Sequence, residues 1–219
     1  MNTKCSYDLI LEGQFEEAIV VAERNFAENK QLSEKYNSVL ALLNMKRKME
    51  ALEVCKGLYE LNTESYKQLL GLCYWLTNQR ELAITNWKND LAGKRVDEFG
   101  GLGSVLLLYY AGVVIDDMSL TDFSLKQAKK IHKKWSSFLS SYMLDFIDET
   151  EALKQSKKDK GLSSRNLCKL YFHIALQRKR TGLENEFRVY LKKMKYLSGN
   201  CRIEPEYYLT MYELDNAGV

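Results

Sequence analysis

Three alanines, Ala18, Ala51 and Ala83, stand 33 and 32 residues apart, each early in an amphipathic stretch that follows a polar turn. No other feature constrains the chain as strongly. A second amphipathic stretch precedes each turn, so the units read helix, turn, helix. Residues 66–91 are the clearest case. Leu69, Leu70, Cys73 and Leu76 recur at helical spacing before Thr77-Asn78-Gln79, and Leu82, Ala83, Trp87 and Leu91 recur after it. Gly71 and Ala83 are small enough to let the two helices approach closely. One pair alone cannot bury both apolar faces, so similar pairs must stack on either side.

An all-α fold follows. Pro205 is the single proline and the Gly-rich turn signals of a β protein are missing. With 46% hydrophobic and 28% charged residues, the 219-residue chain can bury one core as a domain or short solenoid.

The alignment on the alanines brings further matches. Gly71 precedes Ala83 by 12 residues and Tyr74 follows Gly71 by three. Gly13-x-Phe15-x-x-Ala18-Ile19 and Leu58-Tyr59-x-Leu61-Asn62 complete the set. On these residues, positions 5–92 resemble divergent tetratricopeptide (TPR) repeats. Lys35 and Lys67 depart from the aromatic usual near the start of the first helix, and Thr63 from a common proline. The resemblance implies a right-handed α-solenoid of antiparallel helix pairs, in one domain spanning 1–219. Three TPR-like pairs would occupy 1–92, irregular helices with a basic stripe 93–165, and a last hairpin with a capping helix 166–219. It also implies a concave binding face on the first helices: Tyr36, Leu40 and Asn44; Gln68, Leu72 and Trp75; Phe172, Leu176 and Lys179. Leu72 reads better as core. The candidate partner-binding residues are Tyr36, Asn44, Gln68, Trp75, Phe172 and Lys179.

Beyond a linker at 93–102, residues 103–115 are apolar nearly all round and suit a helix buried on several sides. Asp116-Asp117 ends it. Residues 121–138 turn Phe123, Ala128, Ile131 and Trp135 inward. A short apolar segment, 138–147, and a basic loop, 154–165, lead to a hairpin of 166–180 and 183–197 around Thr181-Gly182. Pro205 opens a terminal helix, whose expected role is to cap the stack with a polar outer face. Residues 102–214 also resemble small bacterial helical-repeat immunity proteins. The likeness rests on the LLYYAG helix, the basic helix and the final hairpin, and implies binding and neutralisation of a toxin domain.

Charge is unevenly spread. Residues 1–125 carry 13 Lys+Arg against 18 Asp+Glu, residues 126–202 carry 19 against 7, and residues 203–219 carry none against 4. The second segment could meet an acidic partner. Its centre is a stripe of Lys126, Lys129, Lys130, Lys133 and Lys134 at i, i+3, i+4, i+7 and i+8, followed by Lys154, Lys157, Lys158, Lys160 and Arg165. Such a footprint also suits phosphate, but no exposed stacking aromatic accompanies it in the sequence. Nucleic acid is therefore the second reading and a protein partner the first.

Groups able to do chemistry are few. His132 reads as a solvated residue among lysines, and His173 as a hydrogen-bonded core histidine. The glycines around Ser104 lack a preceding strand and a Gly-Lys-Ser/Thr sequence, so they suit a loop better than a phosphate cradle. Asp145, Asp148 and Glu149 can share a helix face, but lack the spacing of a calcium loop and read as solvated. No catalytic residue, cofactor or metal is expected. The five scattered cysteines read as buried free thiols of a reducing compartment. The N-terminus has no apolar signal region, and the longest apolar run, 102–115, falls short of the roughly 20 residues that span a bilayer. A cytoplasmic location without a membrane partner is expected. The functional expectation is a non-enzymatic protein–protein interaction module, in its sharpest form an immunity protein. An RNA-associated helical-repeat protein or a scaffold subunit of a larger complex is the alternative.

Overall fold

A computed structural model describes residues 4–62, 66–92, 100–134, 136–197 and 199–218. Among them every regular element is helical. Thirteen α-helices follow in order: α1 (Ser6–Glu12), α2 (Phe15–Asn29), α3 (Leu32–Asn44), α4 (Lys48–Leu61), α5 (Lys67–Leu76), α6 (Arg80–Ala92) and α7 (Gly100–Val114). Then come α8 (Met118–Lys134), α9 (Phe138–Met143), α10 (Glu149–Ser156), α11 (Ser163–Arg180), α12 (Glu184–Lys195), a 3-10 turn (Gly199–Ile203) and α13 (Pro205–Asn216). Each helix packs on the next along the chain.

One device makes the turns. Gly13, Lys46, Asn78, Asp116, Asp145 and Gly182 all have positive φ, between 57° and 85°. Each is followed by a backbone N–H that reaches back five residues: Gln14 to Leu9, Arg47 to Leu42, Gln79 to Tyr74, Asp117 to Gly112, Phe146 to Ser141 and Leu183 to Arg178. These bonds of 2.8–3.0 Å are the left-handed helix stop that satisfies orphan carbonyls. The described residues thus form six helix pairs, α1/α2 to α11/α12. The middle segment, expected to be irregular, closes its pairs with the same turn as the ends. Glycine supplies φ > 0 without strain at two positions, while Asn and Asp tolerate it at three others.

Within α5/α6 the expected close approach is present. A Cβ on Gly71 would fall on the Trp87 indole, whose Nε1 donates to Gln68 O at 3.1 Å. Trp75 stacks on Trp87 with ring centroids 5.8 Å apart. The apolar α7 is buried on several sides, from Val105 to Ala111, against α5, α6, α8 and α11. It begins at Gly100, so Gly100–Leu102 are helical rather than linker, while 93–99 lie outside the described residues. Trp135, expected to face inward, and Thr63 also lie outside them. The basic loop is shorter than expected, because α10 runs to Ser156 and α11 starts at Ser163.

The last segment departs most from expectation. Pro205 does open α13, in keeping with its fixed φ and missing N–H. Yet α13 is buried on more than one side, at Glu206, Tyr208, Leu209, Thr210, Tyr212 and Leu214. It packs on α5, α11 and α12. The Tyr208 phenol accepts from Asn44 Nδ2 at 2.8 Å, and Tyr212 Oη donates to Asn78 Oδ1 at 2.5 Å. Arg202 Nη1 donates to Leu11 O at 3.2 Å, and a Cβ on Gly199 would collide with that same carbonyl. End modules of an open stack touch only their neighbours. Here the last segment lies against the first, and the tyrosine hydroxyls let α13 be buried while still hydrogen-bonded.

Candidate interaction site

The six residues expected on a concave face separate into three groups. Trp75 and Phe172 are 0% and 1% exposed, so in this fold neither can touch a docked partner. Both pack on Tyr110, at ring-centroid distances of 5.1 and 5.4 Å. Trp75 Nε1 donates to Tyr110 Oη at 2.9 Å, and that hydroxyl donates to Glu213 Oε1 of α13 at 2.6 Å. Asn44 and Lys179 are engaged by the chain itself. Asn44 holds Arg202 O and Tyr208, while Lys179 pairs with Glu184 at 3.2 Å and lies over the Phe187 ring. Tyr36 and Gln68 line one common cavity. The expected face is therefore divided among contacts to Tyr110 of α7, Glu184 and Phe187 of α12 and Tyr208 of α13.

The lysine stripe is arranged differently. Lys126, Lys129, Lys130, Lys133 and Lys134 are exposed, and none forms an ion pair among the described residues. The opposite face of α8 anchors the helix through buried Leu120, Ser124 and Ala128. Like charges at i,i+3 and i,i+4 repel, offset in the last turn by the helix dipole. Of the flanking cations, Lys154 pairs with Glu151, and Arg165 leaves the footprint to pair with the buried Glu204.

An aromatic borders this stripe. Phe146 is 57% exposed, and its ring lies 5.0 Å from that of His132 on α8. Its position is imposed by the backbone. Asp145 takes φ 58°, Asp145 N donates to Tyr142 O at 3.1 Å, and Phe146 N donates to Ser141 O at 2.9 Å. An apolar residue at this position of a left-handed stop usually packs back onto the helix it ends. Phe146 instead rests on His132 and faces solvent. His132 is correspondingly half-buried rather than solvated, with Nδ1 2.8 Å from Ser140 Oγ. Sequence reading missed Phe146 because it falls in an apolar segment. The only signal was Asp145, a residue that tolerates φ > 0, one position earlier.

Three other expectations need correction. His173 is in the core, 2% exposed, but neither ring nitrogen has a hydrogen-bond partner. Burial, with Lys169 nearby, lowers its pKa to about 3, so it is neutral. Asp145, Asp148 and Glu149 do not share a helix face. Asp148 caps α10 by accepting from Glu151 N at 2.8 Å, and Glu149 pairs with Arg178 at 2.7 Å and accepts from Tyr190 Oη. The described residues contain no cluster of three metal-ligating side chains. Gly100–Gly103 form the first turn of α7 instead of a loop.

All five cysteines are free thiols. Cys5 is exposed and the other four are buried, with Cys201 Sγ donating to Ser164 O at 3.4 Å. Among the described residues no helix is long and apolar enough to cross a membrane. No protein-family model and no curated protein sequence matches the chain. What these residues define is an all-helical chain with a cationic, aromatic-edged surface on α8 and the α9–α10 turn.

Proposed function

We propose that this protein is a non-enzymatic binding module that holds an acidic protein partner on α8 and Phe146. The carrying observation is Phe146, an exposed phenylalanine fixed by backbone hydrogen bonds at the border of five unpaired lysines. Interfaces are commonly anchored by an aromatic side chain surrounded by polar residues. The lysines would steer an acidic surface toward that anchor and set its register. The fold that carries it is a right-handed, TPR-like stack of six helix pairs, closed by α13. The partner in the sharpest form of this reading is a toxin domain, which the protein neutralises by occlusion in the cytoplasm.

Co-expression with the products of adjacent genes tests it. A stable complex that is weakened by Phe146→Ala and by Lys129→Glu/Lys133→Glu supports the reading. Binding that survives both variants undiminished moves the site elsewhere, and the absence of any bound product overturns the reading. The same pairing of an aromatic with lysines favours single-stranded RNA as the second reading, because bases stack on aromatics and phosphates meet lysine. Retention of nucleic acid that falls steeply with salt would select it.

A further inference from the structure

A cavity of about 350 Å³ opens among α3, α5, α7, the α8–α9 connection, α11 and the start of α13. That is the size range of small-molecule sites. Part of its lining is apolar: Leu102, Leu106, Leu107, Phe138 and Leu139. The charged groups of the lining balance. Glu204 accepts from Arg165 Nε and lies 3.0 Å from Lys169 Nζ, and Glu206 faces the same ammonium. Two cations and two carboxylates thus answer one another, and the cavity as a whole favours neither sign.

Two neutral side chains of the lining are uncommitted. Among the described residues neither the Tyr36 hydroxyl nor the Gln68 carboxamide forms a hydrogen bond, and both residues are partly exposed. Each is nonetheless held in place. The Tyr36 ring packs on Tyr66 with centroids 6.2 Å apart, and burial raises its pKa, so the hydroxyl keeps its proton at neutral pH. Gln68 is anchored through its backbone carbonyl, which accepts from Trp87 Nε1 at 3.1 Å. Its side chain occupies space that Gly103 leaves, since a Cβ there would fall on Gln68 Nε2. By contrast, Asn166 of the lining donates to Ser156 O at 3.4 Å, and Ser137 caps α9. A few free polar groups set in an apolar wall are what orients a small ligand.

We infer that this cavity binds a small uncharged aliphatic molecule whose head both donates and accepts hydrogen bonds, as a primary amide does. Its carbonyl accepts from the Tyr36 hydroxyl, its N–H donates to the Gln68 carboxamide oxygen, and its stem lies on the leucine-rich lining. The balance of charge selects neutrality. An ionised head of either sign must shed water, and the counter-ions that could compensate it already face one another. An amide head needs one donor and one acceptor, which a phenol and a carboxamide supply. The Phe146 surface lies on other residues, so the two sites stand or fall separately.

Titration of the intact protein with 4-methylpentanamide, 4-methylpentanoate and 4-methylpentylamine, followed by protein NMR, tests the assignment. The three probes share one branched stem and differ in the head. The expected result is saturable binding of the amide at least tenfold tighter than either ion, with the Gln68 carboxamide resonances shifting as the site fills. In Gln68→Leu and in Tyr36→Phe the amide should bind at least tenfold more weakly, with a thermal melt reporting that each variant is folded. The head-group preference in the unaltered protein is read without any variant. Equal binding of all three probes, preference for either ion, no saturable amide binding, or full amide affinity in folded Gln68→Leu and Tyr36→Phe would each overturn the assignment.

Discussion

Trp75 of α5 and Glu213 of α13 hold opposite sides of one phenol: Tyr110 Oη accepts from the indole at 2.9 Å and donates to the carboxylate at 2.6 Å. Burial raises the pKa of both Tyr110 and Glu213. The relay fastens the closing helix to the centre of the molecule. Tyr110→Phe keeps the ring packing and removes the hydroxyl, leaving an indole N–H and a largely buried carboxylate unpaired. A loss of about 2–6 kcal/mol is expected in urea unfolding, at about 1–3 kcal/mol per stranded group. Trp75→Ala should cost about 3–5 kcal/mol through the cavity it leaves. Any loss of partner binding in that variant should track unfolding.

The seam between α5 and α6 depends on a missing side chain. Gly71→Ala would drive a methyl group into the Trp87 indole, which is fully buried and bonded to Gln68 O. Ordinary helix propensity favours alanine by about 1 kcal/mol, and overpacking opposes it by about 1–3 kcal/mol. A lower Tm is expected for Gly71→Ala, whereas Gly57→Ala, with open space around its Cβ, should leave Tm unchanged or raise it.

Two buried groups give opposite pH dependences. His173 has a pKa of about 3 in the folded chain against an ordinary 6.5, through burial first and Lys169 second. The unfolded chain therefore binds the extra proton between those values, and stability from this group is lost as pH falls from 6.5 to 3. Glu206, raised by burial from 4.5 to about 6, acts the other way: its folded state takes the proton first, and stability falls as pH rises from 4.5 to 6. Urea melts of His173→Leu should gain on the unaltered protein by roughly 1.4 kcal/mol per pH unit on acidification below 6.5. Glu206→Gln should be the more stable protein at pH 7.5, with the advantage fading as pH falls from about 6 to 4.5.

At the proposed interface, Phe146→Ala should leave Tm within about a degree, because more than half of that residue already faces solvent. Affinity for the partner should fall at least tenfold, a loss of about 1.4 kcal/mol or more. Lys129→Glu/Lys133→Glu should chiefly slow association and flatten its salt dependence, which stopped-flow mixing at two ionic strengths would read.

Much of the fold was legible because its signals were local. The Thr77-Asn78-Gln79 turn, read between two amphipathic stretches, carries the positive φ at Asn78. The small Gly71 foretold a close seam. The regularity of the middle pairs was hidden because Asp116 and Asp145, rather than glycines, make their left-handed stops. Tyr208 and Tyr212 also read as one face of an end cap, since nothing local marks the distance their hydroxyls reach, to Asn44 and Asn78. Tyr36 and Gln68 were read as one wall of a groove and do share a cavity. Glu204 and Glu206 went unnoticed, because their role comes from Arg165 and Lys169, more than thirty residues earlier.

The return of α13 to the beginning of the chain has a consequence during synthesis. Helix pairs made first can form as they leave the ribosome, but the surfaces that receive Tyr208, Tyr212 and Glu213 must wait for α13. At about 5–20 residues per second, on the order of ten seconds separates Asn78 from Tyr212. Through that interval the nascent chain displays unclosed apolar and polar surface, which translation of α13 covers.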